Sequence, residues 1–513
     1  ICMSSSVVCI LFTIAAYLLS VLFVGFYYAR KNESATDFYL GGRQLGPLVT
    51  AMSAEASDMS SYLLMGLPGL AYLSGVADVG WTAIGLAIGT YLNWLFTAKR
   101  LRIYTHLTKS FTLPQFFSNR FHDDKHVLST IAAVIIIIFF IPYTASGFAA
   151  CGKLFHSLFG ADYVMAMVLS AIVIVAYTAA GGFLAASITD FIQSIIMTFA
   201  LLFVLVYATN MAGGVDTVLA NAQALPGYLS LTETFKVDTN SASPYTLFTI
   251  ASTLAWGLGY FGMPHILLRF MAINEVEKLD LSRRVASIWV VVAMGVAVAI
   301  GIVGRSLSAS GLVSTLTNAN TETIIIQIAN VISEHGLLMA CVAGLVLSGI
   351  LASTMSTADS QLLAASSSVS ENILQEALNM NLNIDQRIRA ARWTVVAIAI
   401  LGMVIARDPA SSVFKIVSFA WAGFGASFGP LVLASLFWKR ATYRGALAGM
   451  VTGGATVFIW KFLIAPLGGV LGIYELLPAF LLSLLVLVVV SLLDEAPGQE
   501  IIAEFEKMKR KNG

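Results

Sequence analysis

The sequence predicts an all-α polytopic membrane protein of about 13 transmembrane helices, with two inverted sets of five at its core. Three observations carry that expectation. The chain of 513 residues is 58% hydrophobic and 11% charged, against about 25% charged in soluble proteins, so one globular core cannot hide its apolar surface. The apolar residues gather into segments of about 20, the length that crosses a bilayer, separated by polar or Gly/Pro punctuation. Two of these segments are interrupted, at corresponding positions in the two halves of the chain.

The expected spans have cores near residues 6–28, 44–70, 76–98, 128–155, 162–180, 186–210, 244–270, 281–306, 336–370, 390–406, 411–437, 442–463 and 473–493. The first run starts without charge and lacks a small-residue cleavage site at the right distance, so it is expected as a retained helix. The spans group into an extra helix and loop (1–43), a first five-helix repeat (44–210), an external loop (211–243), a second, inverted repeat (244–437), two further helices (438–493) and a tail (494–513).

Basic residues orient the chain. With the amino terminus outside, the cytoplasmic gaps and tail hold Arg30, Lys31, Arg100, Lys125, Arg284 and Lys509 among many others. The gap from Met211 to Ser243 has only Lys236, and that from Leu307 to His335 has no Lys or Arg, as external loops require. The carboxyl terminus is then cytoplasmic. A net charge of +1 without a basic block beyond Lys507 to Lys511 argues against a nucleic-acid partner. Cys2, Cys9, Cys151 and Cys341 are scattered without metal-ligand spacing and are expected to be structural. The six histidines are dispersed, and no nucleophile elbow or pore-loop signature occurs, so neither an enzyme nor a channel is indicated.

Three polar features mark a site. In SAEASDMSSYLLMGLPG (Ser53 to Gly69), Asp58 stands at bilayer depth, where a charge costs about 2.5 to 3.5 kcal/mol even on a lenient scale and survives mainly beside a cavity or pathway. The alternative is a structural carboxylate paired with a neighbouring helix. In WGLGYFGMP (Trp256 to Pro264), three glycines and a proline weaken a helix and free backbone groups, tolerated at that depth only around a cavity or inside protein. A packing kink is the alternative there. Interrupted helices in matching positions of inverted halves point to the substrate site of a secondary transporter. Third, Ser353, Ser356, Thr357 and Ser360 share one helical face beside Thr354 and Asp359. Hydroxyl and carbonyl oxygens suit a hard cation, although such hydroxyls also bond their own helix.

Together with FYLGGRQLGP, AWGLGYFGMPHILLRFMA, STMSTADSQLL and SFAWAGFGASFGP, these residues resemble the sodium/solute symporter family, most closely its sodium/proline members, from about Val21 to Leu493. The resemblance implies a LeuT-type 5+5 inverted-repeat core in the plasma membrane. It implies sodium as coupling ion, held by the carbonyls of Ala56 and Met59 with Ser353, Ser356 and Thr357, and no organic cofactor. Coupling roles are implied for Asp58, Arg43, Asp190, Asp359 and Ser360. A pocket for L-proline is implied at Ser57, Ser60, Tyr62, Tyr143, Trp256, Tyr260, Met263 and Pro264. Ser61, Tyr62, Met263 and Ser353 depart from the family pattern, which leaves another small solute as the alternative substrate. A transporter-like sensor is a further alternative, but little chain follows the last span. No obligatory protein partner is expected; the surroundings are the lipid bilayer.

Overall fold

The computed structural model describes residues 4–30 and 34–512. Cys2 and Lys31 lie outside the described residues. Among these residues, ten helices are long and apolar enough to cross a membrane. They include α1 (Ser5–Ala29), and the first expected interruption follows it. α2 (Pro47–Ser61) and α3 (Leu67–Ser74) are separated by a π-helical turn, Tyr62–Gly66. Next come α4 (Val76–Leu107), α5 (Val127–Phe159), α6 (Tyr163–Gly181) and α7 (Phe183–Met211).

The segment after α7 is not featureless. It carries a short helix, Val215–Gln223, and an antiparallel hairpin of β1 (Glu233–Lys236) and β2 (Ser241–Pro244), so the protein is all-α only in its membrane part. Tyr228, fully buried, anchors this loop by donating to the carbonyls of Ala71 and Tyr72 at 2.8 and 3.0 Å.

The second interruption lies between α8 (Leu247–Leu254) and α9 (Pro264–Ala272), joined by a 3-10 stretch, Ala255–Gly262. The chain continues through α10 (Leu279–Ala309), α11 (Leu337–Ser367), α12 (Ile384–Ala406), α13 (Val413–Phe437), α14 (Tyr443–Ile459) and α15 (Leu476–Leu493). α12 starts earlier than its apolar run because Asn383 and Gln386 form a reciprocal capping box. The tail forms α16 (Gln499–Asn512), which buries Phe505 and Met508 and packs on the end of α4.

At the other three expected spans, 44–70, 162–180 and 244–270, the structure has α2 with α3, α6, and α8 with α9, each shorter or interrupted and outside those ten. The interruptions sit at the centre. α11 packs against α1, α2, α5 and α7, while α2 also meets α7, α9 and α10. The 3-10 stretch packs on α4 and α13, and its glycines bring it within close backbone approach of α4. A Cβ added at Gly257 would lie 2.2 Å from the carbonyl oxygen of Gly85, and one at Gly89 would lie 2.3 Å from that of Gly257. At the opposite end of these helices, Leu45 before α2 bridges Ile273 after α9, its N–H donating to Ala272 O at 3.1 Å.

This backbone contact is testable. Gly257→Val should lower the melting temperature of the purified protein measurably, since overpacking costs about 1–3 kcal/mol. Gly295→Ala, where nothing lies within 4 Å, should leave it unchanged.

Candidate cation and substrate site

The break in α2 occurs at Ser60, whose φ of 50° and ψ of −170° lie outside helical space. A serine holds this conformation only where its surroundings enforce it. Beyond it the chain turns tightly: the Tyr62 N–H donates to Ser60 Oγ at 3.1 Å and also faces the Met59 and Ser60 carbonyls. One turn earlier, the Ala56 carbonyl accepts Ser356 Oγ at 2.8 Å and Thr357 Oγ1 at 3.5 Å from α11. Ser353 behaves differently. Its hydroxyl turns back to Ile350 O at 2.8 Å, while its carbonyl accepts from Ser356 and Thr357 at 3.3 and 3.1 Å. The result is a buried group of hydroxyl and carbonyl oxygens between the broken helix and α11, the ligand type hard cations take.

Asp58 lies on the same turn, 5% exposed, and Tyr260 donates to its Oδ2 at 2.5 Å. Tyr143 of α5 donates to the Asp58 carbonyl at 3.2 Å. Ser57 instead bonds its own helix at Ala54 O, 3.0 Å away. Met263 and Pro264 cap α9, and Met263 is fully buried. Toward the hairpin side, Tyr62 stacks on Trp256 at 5.7 Å and Trp256 on Tyr474 at 5.0 Å, with Phe414 5.6 Å from Tyr62. Trp421 fixes this stack by donating its indole N–H to Trp256 O at 2.8 Å.

On the other side of the break, charges are sealed in. Asp190 of α7 is fully buried and takes Ser53 Oγ at 2.7 Å and Arg269 Nη2 at 3.0 Å. Arg269 of α9, 1% exposed, also donates to Ser53, Ser360 and the His265 carbonyl, and Ser360 donates to Asp359 at 3.1 Å. Four helices (α2, α7, α9 and α11) therefore meet at one guanidinium. Arg43 lies nearer the helix ends. Its Nη1 donates to Met271 O and its Nη2 to Ser110 O, both at 2.6 Å, which ties the start of α2 to the end of α9.

The structure thus gathers Ala56, Ser356 and Thr357 in one cluster, Asp58, Tyr143 and Tyr260 in a second, and Asp190, Asp359 and Ser360 in a third. The hydroxyls of Ser57 and Ser353 point away, into their own helices. Sequence reasoning missed Arg269, Tyr474, Phe414 and Glu55. The signal for Glu55 was present: a second acid three positions before Asp58.

Residues 38–453 match the model of the sodium:solute symporter family. The chain belongs to that family. Among similar proteins, the sodium/proline symporter of Haemophilus influenzae is 42% identical over 98% of this chain and 97% of its own length. The osmoregulated proline transporter OpuE of Bacillus subtilis is 38% identical over 98% of each chain. The Escherichia coli sodium/proline symporter is 38% identical over 96% of this chain and 95% of its own. A solved Na+-coupled sialic acid symporter, captured substrate-bound and outward-open, superposes with a TM-score of 0.78 at 19% identity, covering 96% of this chain and 99% of that one. The nucleobase-cation-symport transporter MHP1 in a closed conformation gives 0.53 at 13% identity, covering 93% and 99%. These likenesses show the LeuT-type fold. As a symporter-family member the protein is a transporter, not an enzyme.

The guanidinium hub carries a prediction. Arg269→Ala should cost about 3–5 kcal/mol of stability by stranding the Asp190 carboxylate. Adding Asp190→Asn should recover part of it, and a thermal-melt double-mutant cycle on purified protein reads the coupling.

Proposed function

We propose that this protein carries L-proline into the cell together with sodium, by alternating access across the plasma membrane. The observation that carries this reading is the oxygen cluster at the α2 break. The Ala56 carbonyl faces two α11 hydroxyls at 2.8 and 3.5 Å, in a chain about 40% identical to several proteins named as proline carriers. Sodium binds among the carbonyls of Ala56 and Met59, the hydroxyls of Ser356 and Thr357, and Ser353. Asp58 supplies negative charge nearby. Sodium entering from outside stabilises one arrangement of α2 against α11, and by linkage raises the affinity for the solute.

The solute binds on the other side of the break. Tyr143, Tyr260 and Trp256 offer hydroxyls and ring faces, and a ring facing the cationic amine adds about 0.5–2 kcal/mol. Ser57, Ser60, Tyr62, Met263 and Pro264 complete this pocket. The Tyr62–Trp256–Tyr474 stack is the outer cover. Arg43 and the Arg269–Asp190–Ser360 network, with Asp359, form the inner closure that must part for release. The residue groups 44–210 and 244–437 act as the two inverted repeats whose rocking exposes the site alternately. The positive-inside pattern supports an external amino terminus and a cytoplasmic carboxyl terminus. An inside-negative potential then favours inward movement of each sodium by about 2.3 kcal/mol per 100 mV.

The test is uptake of radiolabelled L-proline into proteoliposomes under an inward sodium gradient. Accumulation should require sodium, and Ser356→Ala and Asp58→Asn should each lower it at least tenfold at unchanged folding. Tyr260→Phe should weaken proline affinity with less effect on sodium. Sodium-driven transport of a different small solute, with proline ignored, would overturn the substrate and keep the transport mechanism.

A further inference from the structure

The cluster at Ala56 uses one face of α2. Glu55 points from another, turned about 100° away by helix geometry. It is 1% exposed and one turn before Asp58. Its Oε1 accepts the indole N–H of Trp94 at 3.0 Å, while its Oε2 is buried without a partner. Trp94 belongs to α4, so the facing surface is known. Beside it, Asn93 is fully buried, donates Nδ2 to Tyr260 O at 3.0 Å, and leaves its Oδ1 without a partner. One turn further, the Thr97 hydroxyl is buried and likewise unpaired. These α4 residues lie in a π-helical stretch, Asn93–Ala98, a local widening that recurs at functional sites.

Charge compensation distinguishes this place from the guanidinium hub. Asp190 has Arg269, but among the described residues Glu55 has only an indole N–H and Asp58 only the Tyr260 hydroxyl as side-chain partners. Two carboxylates buried one turn apart are neutralised either by protons or by a bound cation. The available atoms are carboxylate, amide and hydroxyl oxygens, which suit an alkali ion. Among the described residues no group of three or more His, Cys, Asp or Glu occurs that would hold a transition metal.

We propose that Glu55, Asn93 and Thr97, with Asp58 one turn away, form a second sodium site between α2, α4 and the 3-10 stretch, separate from the Ala56–Ser356–Thr357 cluster. Two sodium ions then accompany each solute, and two charges cross the membrane. The inference rests on the sodium coupling proposed above. Because Asp58 borders both groups and Tyr260 joins it to the Asn93 bond, occupation here also fixes the Tyr260 hydroxyl that faces the solute pocket.

Counting bound 22Na+ per chain on the purified full-length protein, without solute, tests it. The expected count is two for the unaltered protein, one for Glu55→Gln, which keeps an acceptor for Trp94, and one for Ser356→Ala. In proteoliposomes the charge-to-proline ratio should fall from two to one in Glu55→Gln. A count of one in the unaltered protein overturns the second site and leaves the proposed function standing, and a count of zero overturns both. Two ions retained in Glu55→Gln place the second ion elsewhere and overturn the assignment. So does a Glu55-dependent charge that an internal pH dye identifies as a proton.

Discussion

In hydrocarbon a backbone N–H or carbonyl without a partner costs several kcal/mol, so a helix can break at membrane depth only where something else satisfies the freed groups. The turn at Ser60 sets that requirement at the centre of this protein, and its surroundings meet it. Ser356 and Thr357 of α11 reach the Ala56 carbonyl, Tyr143 of α5 reaches the Asp58 carbonyl, and Tyr62 folds back onto Ser60. The break is therefore held by two other helices, α11 and α5, as well as by its own chain. Any cation that adds its own bonds to the same oxygens changes the balance between those arrangements, because a ligand shifts a conformational equilibrium only through differential affinity.

The two sides of the break are closed by different physics. Aromatic rings, Tyr62, Trp256, Tyr474 and Phe414, close one side, and stacked faces can separate without leaving unpaired charge. The other is closed by a buried ion pair and by arginine-to-carbonyl bonds at Arg269 and Arg43. Separating Asp190 from Arg269 would require both charges to be rehydrated or re-paired. Glycines at 85, 89 and 257 bring the backbones of α4 and the 3-10 stretch into close contact, and Asn93 of α4 bonds the Tyr260 carbonyl.

The spans were legible because a bilayer demands long apolar runs and tolerates few breaks, so the segments around Asp58 and Gly259 stood out by what they lacked. The oxygen face at Ser356 and Thr357 was legible from helical spacing alone. The Arg269 hub was not. Its partners Asp190, Ser360 and Ser53 lie 79, 91 and 216 residues away, and no local pattern links them. The hairpin at Glu233–Lys236 and Ser241–Pro244 leaves no sequence signal because its strands are only four residues each. The charges of α16 mask its apolar face, where Phe505 and Met508 lie three apart and are buried as the helix packs on α4. Ser353 fits the spacing of a ligand, yet its hydroxyl already has a partner one turn back, which spacing does not reveal.

In the proposed mechanism sodium joins the opened α2 backbone to α11. Amide hydrogen exchange of the purified protein, in sodium against potassium at equal ionic strength, measures this directly. Sodium should slow exchange in peptides covering residues 56–62 and 350–360 together, and Ser356→Ala should abolish the protection in both. Equal exchange in the two salts, or protection confined to one of the two helices, would contradict it.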